Sequence, residues 1–308
     1  MFFSANTTQN YLKKCYNKNN IDSPEQKAYE NCYPFIYYLE HGKIYYEQAK
    51  VSPLIIKPIL LFYGFVHLLK ACILTIDPNY PETTSVLAHG VSSRKRKKQQ
   101  FLFYQDEVKF QKTGLFPFIS EKLFHMKQLE GDKISMELLF KQVPELSNLL
   151  QQVENKPSFI TVKNEVDEFH IPVSVIDTFH MTENRFVDYF LSKSKEAYSY
   201  ERSEGDYLVF KKNNWDGYDY TPLKYNLEKD TFSFPVTKEF SLQFHEILVH
   251  YLLLYNLSMI ARYETEWWSE LVKTMPNKDY PLIETFLQIS LEKGPFLVYQ
   301  NLMSKFGT

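Results

Sequence analysis

His89-Gly90-Val91-Ser92-Ser93-Arg94 opens a basic run, Arg94-Lys95-Arg96-Lys97-Lys98, that holds two of the five arginines in the chain. A guanidinium donates two parallel hydrogen bonds to a phosphate, and serine hydroxyls and an imidazole add further donors. His89, Ser92, Ser93, Arg94 and Arg96 therefore have the chemistry of a phosphate or anion site, and Gly90 lets backbone approach closely there. The competing reading is a solvated basic loop, the ordinary state of a charge run. A second group is Arg262-Tyr263-Glu264-Thr265-Glu266-Trp267-Trp268. On a helix Arg262 and Glu266 stand at i and i+4 and face the same way. That arrangement allows an ion-pair brace between packed helices. It also allows an arginine that, near Trp267, stacks a base or holds an anion. The third group is His67 with Lys70, at i and i+3 on an otherwise apolar helix. Polar groups on such a face need partners, and Glu266 or another carboxylate of the bundle is the plain solution.

Other chemistry is not spelled out. His245-Glu246-Ile247-Leu248-Val249-His250 resembles a zinc-protease helix with one residue too many. At i and i+5 the two histidines stand about 140° apart around a helix and cannot easily reach one metal. Neither a Gly-x-Ser-x-Gly elbow nor a glycine-rich phosphate or dinucleotide loop is present. Carboxylate pairs such as Asp106-Glu107 and Glu165/Asp167/Glu168 read as solvated. Cys15, Cys32 and Cys72 are odd in number, without a Cys-x-x-Cys pair. They read as three reduced thiols in a cytoplasmic protein, not as a disulfide framework or a zinc site. The expectation is therefore a non-catalytic protein with no catalytic residue, no cofactor and no metal.

Composition sets the frame around these groups. The 308 residues carry 35 Lys+Arg against 37 Asp+Glu, and 44 % are hydrophobic and 17 % aromatic. Such a chain buries a large core, which excludes disorder for most of it. A formal charge of −2 excludes a globally basic nucleic-acid binder. The first residues show no basic start and no apolar run, so no signal peptide is read there. Residues 53–76, PLIIKPILLFYGFVHLLKACILTI, are interrupted by Lys57, His67 and Lys70. With His67 taken as neutral, the longest uncharged run is Pro58–Leu69, short of the roughly 20 residues that cross a bilayer. This stretch and 247–261 read as core helices, with no membrane partner.

The elements that must position these residues follow from periodicity. Residues 7–20 read as a loose helical arm. A helix opens at Asp22-Ser23-Pro24-Glu25, with Asp22 or Ser23 as cap, and runs to Lys50, with Pro34 and Gly42 as points of kinking or division. The next helix runs from Ser52-Pro53 to about Ile76 and forms an antiparallel pair with the first. Alternation predicts strands at 101–111, 157–163, 171–177, 205–212 and 230–236. Short helices are expected near 118–128, at 135–153 with a break at Pro144, and at 182–195. Thr237 is expected to cap a long helix continuing through 261–274. Two further helices, Tyr280–Lys293 and Pro295–Phe306, are divided by Gly294-Pro295. The fold class is mainly α with a mixed α/β middle region. Residues 1–100 and 237–308 are expected to form one discontinuous helical bundle, with 101–236 as an α+β insertion.

The blocks 30–50, 58–75, 80–100 and 261–271 carry a resemblance to the YaaC-like proteins of Gram-positive bacteria, spanning nearly the whole chain. That family implies no settled activity. Its genes can lie beside the gene for IMP dehydrogenase, which implies a link to purine nucleotides or to that enzyme as a partner. The helical part also resembles, more distantly, HEPN-type bundles of RNases and nucleotide-binding proteins. In those RNases an arginine precedes a histidine by five to seven positions. Arg94, Arg96, Arg185, Arg202 and Arg262 all lack such a histidine, so the resemblance supports a HEPN-like bundle and not its RNA cleavage. The reading is thus a cytoplasmic protein binding a purine nucleotide or a partner enzyme through His89–Arg94 and Arg262. The alternative is a nucleic-acid-directed protein using 94–98, which the neutral overall charge does not favour.

Overall fold

The computed structural model describes residues 4–93, 101–127, 130–194, 197–213, 220–239 and 244–305. Among these, the α-helices are α1 (Ala5–Lys18), α2 (Pro24–Val51), α3 (Lys57–Leu74), α4 (Leu115–Phe124), α5 (Met136–Phe140), α6 (Ser147–Glu154), α7 (Val175–Phe179), α8 (Glu183–Ser194), α9 (Glu246–Tyr263), α10 (Thr265–Thr274) and α11 (Asp279–Met303). The strands are β1 (Val91–Ser93), β2 (Glu107–Phe110), β3 (Lys133–Ser135), β4 (Phe159–Glu165), β5 (Glu168–Pro172), β6 (Tyr198–Glu204), β7 (Tyr207–Lys212), β8 (Lys224–Asn226) and β9 (Thr231–Pro235). The fold is mainly α with two antiparallel sheets. The chain divides into two units, Met1–Leu139 with Phe244–Thr308, and Phe140–Gln243.

In the first unit α3 is the central element. It packs on α2, α9 and α11, and Leu61, Phe62, Phe65 and Leu69 are fully buried. Pairing of Gly42 with Leu68 and of Gly64 with Tyr46 runs α2 and α3 antiparallel. Helix α3 is long and apolar enough to cross a membrane by length and composition, more so than its uninterrupted run suggests. It is 72 % buried inside the protein, the state of a core helix. Nearly every residue of α9 is buried too, as befits a helix enclosed on all sides.

Residues 101–139, expected within the insertion, lie with the helices. Strand β2 pairs antiparallel with β1 and β3. The turn before it is held by α11, because the buried Asp279 carboxylate accepts the Phe103 and Tyr104 N–H groups at 2.7 and 3.0 Å. Asn256 of α9 donates to Asp106 at 3.0 Å. This clamp makes residues 103–105 a 3-10 turn, where alternation alone predicts strand.

Several helix boundaries differ from expectation. The arm is not loose: Tyr11, Leu12, Cys15 and Tyr16 of α1 are buried, and the Tyr11 hydroxyl donates to the Leu302 carbonyl at 2.8 Å. Ser23 sits at the N-cap of α2 in a left-handed conformation and makes no side-chain cap. Helix α2 passes through Pro34 and Gly42 undivided. Pro34 and Glu30, whose carbonyl it leaves unpaired, are both exposed, so water meets that carbonyl. Helix α9 starts at Glu246, not near Thr237, and ends at Tyr263, with Glu264 capping it before α10. Helix α11 runs unbroken through Gly294-Pro295. A Cβ at Gly294 would collide with the Tyr46 hydroxyl, so this glycine serves packing and not a helix stop.

The second unit is a six-stranded antiparallel sheet in the order β6-β7-β5-β4-β9-β8. Phe169, Ile171, Leu208, Phe210 and Phe234 of its strands pack with Phe179 of α7 and with Phe186 and Phe190 of α8. The expected strand at 171–177 ends at Pro172, and 175–179 is helix. Strands β1, β3, β6 and β8 were not expected.

Candidate functional site: a cationic cluster ringed by tyrosines

Two glycines bring α2 and α3 together. A Cβ at Gly42 would overlap Leu68, and one at Gly64 would lie 2.9 Å from Tyr45 and Tyr46. At this close crossing Tyr38, His41 and Tyr45, at i, i+3 and i+7, share one face of α2 and meet His67 of α3. The ring centroids lie 6.0, 5.1 and 5.6 Å from that of His67, with Tyr45 stacked on it. One helical step on, Lys70 places its ammonium 5.6 Å from the centre of the Tyr38 ring.

A loop delivers His89. Gly90 and Gly114 both hold positive φ, 76° and 125°, and pack backbone to backbone. No residue with a Cβ fits either place. The Leu115 and Phe116 N–H groups donate to the carbonyls of Ala88 and His89 at 2.7 and 3.1 Å. The Tyr251 hydroxyl donates to the same His89 carbonyl at 2.8 Å. Gly90 therefore approaches Gly114 and not a ligand, while the imidazole of His89 is held among Phe62, Tyr63 and Tyr255, at 5.0, 6.2 and 5.5 Å.

Arg262 comes from the last turn of α9. Its Nε donates to the Ser258 carbonyl at 3.1 Å, Nη1 to the Tyr63 hydroxyl at 2.8 Å, and Nη2 to the Met259 thioether at 3.0 Å. Its guanidinium lies 5.5 Å from the Tyr63 ring and 5.2 Å from the Tyr263 ring, within cation–π range.

The electrostatics of the cluster follow. Burial, then Lys70 and His41, push the His67 imidazole down to about 4. Burial, then Arg262 and Lys70, lower His89. Burial lowers Lys70. His67, Lys70, His89 and Arg262 are all half-buried. Among the described residues, neither Lys70 nor Arg262 has a carboxylate partner, and Lys70 makes no hydrogen bond. Two basic side chains, Lys70 at Tyr38 and Arg262 at Tyr63, thus lie half-buried against aromatic rings without a carboxylate partner among the described residues, an arrangement that attracts an anion.

Four of the residues singled out in the sequence, His67, Lys70, His89 and Arg262, come together here. The others do not join them. Ser92 accepts from Gln111 Nε2 at 2.8 Å, and Ser93 pairs with Val108 in the small sheet. Arg94 and Arg96 lie outside the described residues. The Arg262–Glu266 brace does not form: the helix breaks at Glu264, and Glu266 is exposed on α10. For the same reason Glu266 is no partner of His67 or Lys70. Trp267 donates to the Phe101 carbonyl at 3.1 Å and packs on that ring at 4.8 Å. Sequence reasoning missed Tyr38, His41, Tyr45, Tyr63 and Tyr255. The i, i+3, i+7 spacing in α2 was available, but tyrosine at helical spacing reads first as core.

His245 is the N-cap of α9, accepting the Ile247 N–H at 3.2 Å and stacking on Phe124 at 4.0 Å. His250 is fully buried, with Nδ1 2.9 Å from the Ser290 hydroxyl. Their roles are separate and structural. Among the described residues, no cluster of His, Cys, Asp or Glu is arranged to hold a metal ion.

Two cavities lie elsewhere. One, of about 460 Å³, is lined by Cys15, Lys18, Lys122, His125 and Lys305. Helices α1, α4 and α11 all end beside it, so its lysines sit where cations complement helix C-termini. The other, about 660 Å³, lies against the second unit's sheet at Thr161, Lys163, Tyr207 and Tyr225.

Comparison with curated proteins and with solved structures finds no match to this chain. The sequence model of the YaaC-like Protein family matches residues 1–302, and on that match the chain belongs to the YaaC-like family.

Proposed function

We propose that this protein binds a purine nucleotide at the cluster formed by His67, Lys70, His89 and Arg262. The observation that carries the reading is that two half-buried basic side chains, Lys70 at Tyr38 and Arg262 at Tyr63, border one run of aromatic contacts with no carboxylate partner among the described residues. A phosphate supplies the missing charge, and an arginine fork suits its oxygens. Tyr38, Tyr45 and Tyr63 offer ring faces for a base, and such stacking contributes about 1–3 kcal/mol per base. We further read the protein as cytoplasmic and non-catalytic and its bundle as HEPN-like. Support comes from the antiparallel α2–α3 pair covered by α9 and α11, and from three free, buried cysteines. The nucleic-acid reading depends on residues 94–98, which lie outside the described residues.

Calorimetric titration with AMP, GMP and IMP tests the proposal. Wild-type protein is expected to bind at least one of them, while Arg262→Lys and Lys70→Gln lose most of the affinity and keep their helical circular dichroism. Absence of binding to all three, or unchanged affinity in both variants, rejects it.

A further inference from the structure

We infer that the cavity where α1, α4 and α11 end is a second binding site, built for a small multivalent oxyanion. The site is independent of the nucleotide proposal, since none of its lining residues belongs to the aromatic cluster. The cavity holds about 460 Å³ and is lined by Lys18, Lys122, Lys305, His125, Asn19 and Ser304, with no carboxylate among the described lining residues. Such a volume is in the range of small-molecule sites. Lys305, just past α11, is half-buried and donates to the Thr75 hydroxyl at 2.5 Å. Thr75 in turn donates to the Cys72 carbonyl at 2.6 Å. Burial lowers the proton affinity of Lys305, the Cys72 and Cys15 thiols work against that, and Lys18 adds to it; no carboxylate is among these influences. Asp77, next in sequence to the lining Ile76, accepts the Asn79 N–H at 3.0 Å. An ammonium enclosed without a counter-charge is costly, and an anion in the cavity offsets that cost.

The three helix C-termini that meet here do not use up the lysines. Their last carbonyls are met by other donors: Cys15 by Asn19 Nδ2 at 2.8 Å, Glu121 by the His125 N–H at 3.1 Å, Gln300 by the Ser304 N–H at 2.9 Å and Asn301 by the Ser304 hydroxyl at 2.9 Å. A helix C-terminus carries about half a negative charge, so three of them offset roughly half the charge of Lys18, Lys122 and Lys305. The excess of roughly one and a half positive charges suits a dianion better than a monovalent ion. Geometry points the same way. The lysines arrive from three separate helices, and an ammonium is a compact charge with three donors. Oxygens that point in several directions, as in pyrophosphate or a tricarboxylate, can meet all three, while Asn19 and Ser304 add neutral polar groups. Phosphate and carboxylate ligands share this chemistry.

The test is calorimetry at pH 7 in a phosphate-free buffer of low ionic strength, with pyrophosphate and citrate as probes and sodium chloride at matched ionic strength as the control. At least one probe is expected to bind where chloride does not, and the tighter of the two tells a phosphate ligand from a carboxylate one. The double variant Lys18→Gln/Lys122→Gln is expected to bind that probe about tenfold or more weakly, as loss of charge-assisted contacts implies. Its helical circular dichroism is expected to be intact, because both lysines are exposed. Arg262→Lys is expected to leave the same binding unchanged, which separates this site from the aromatic cluster. Binding of neither probe overturns the inference and leaves the nucleotide reading standing. Binding that survives the double variant, or that disappears in Arg262→Lys, overturns it as well.

Discussion

Arg202 and Arg262 are the same side chain in two regions with opposite settings. Arg202 lies on edge strand β6, where the ladder is irregular between Tyr200 and Arg202. Its Nη1 and Nη2 each meet a Glu168 oxygen at 3.0 Å, and its Nε meets Glu204 at 2.8 Å. The side chain is 45 % exposed, yet every edge of the fork is occupied by carboxylate. Arg262 is more enclosed and holds a hydroxyl, a carbonyl and a sulfur. The first charge is neutralised where it stands and fastens a sheet edge. The second is held in position by neutral groups and keeps its charge for something else. The difference teaches that the partner's charge, more than the number of hydrogen bonds, separates a fastener from a receptor.

A third cation bounds the comparison and gives the largest expected effect. Lys293 is 1 % exposed and pairs with Glu246 at 2.9 Å between α11 and α9. Glu246→Ala removes the carboxylate from a buried ion pair and is expected to cost about 3–5 kcal/mol, read from denaturant midpoints. Next comes Arg262. With no carboxylate to strand, Arg262→Ala is expected to cost only about 1–2 kcal/mol of stability, the range of one or two hydrogen bonds. Arg262→Lys is expected to lose about 2 kcal/mol of nucleotide affinity, because an ammonium cannot reproduce the planar fork. A loss of stability as large as that of Glu246→Ala would return Arg262 to a structural role.

Acid separates the two regions by window. His67 and His89 have lower proton affinity in the fold than in the unfolded chain. The unfolded chain therefore binds more protons once pH falls below about 6.5, and stability drops from there until His67 itself protonates near 4. Glu168, held low by its hydrogen bonds from Arg202, acts in the same sense but in a lower window. Its contribution is present above its ordinary value of 4.5 and fades only as pH falls through the lower folded value. Midpoints measured between pH 7 and pH 5 are expected to fall less in His67→Gln than in wild type. The smallest effect belongs to Arg202→Ala, expected to move the thermal midpoint least of these variants and to leave nucleotide affinity unchanged.

The chemistry of the cluster was legible by residue type, because His67, Lys70, His89 and Arg262 are out of place on apolar or basic stretches. Their meeting was not. It needs α3, a loop set by Gly90 against Gly114, and the far end of α9, and no local period encodes contacts across such separations. The Arg262–Glu266 brace was misread because the break at Glu264 carries neither proline nor glycine. The opposite error occurred at Gly294-Pro295, where a local stop signal is overruled by α11 fitting against Tyr46. Long apolar helices such as α3 and the start of α2 were readable because periodicity and tertiary packing agree there. The 3-10 turn at 103–105 was not, since its geometry depends on Asp279, far away in sequence.

The place of α3 among α9 and α11 has a consequence for biosynthesis. About 170 residues separate Leu74 from Glu246, which at ~5–20 residues per second takes roughly ten to thirty seconds of translation. During that interval the most apolar helix of the chain has left the ribosome with α1 and α2 available to it, and its remaining walls have not yet been made. A nascent chain in this state presents a bilayer-like stretch to chaperones and to the membrane-insertion machinery alike. His67 and Lys70, polar residues in the middle of that stretch, weigh against its being taken into lipid while it waits.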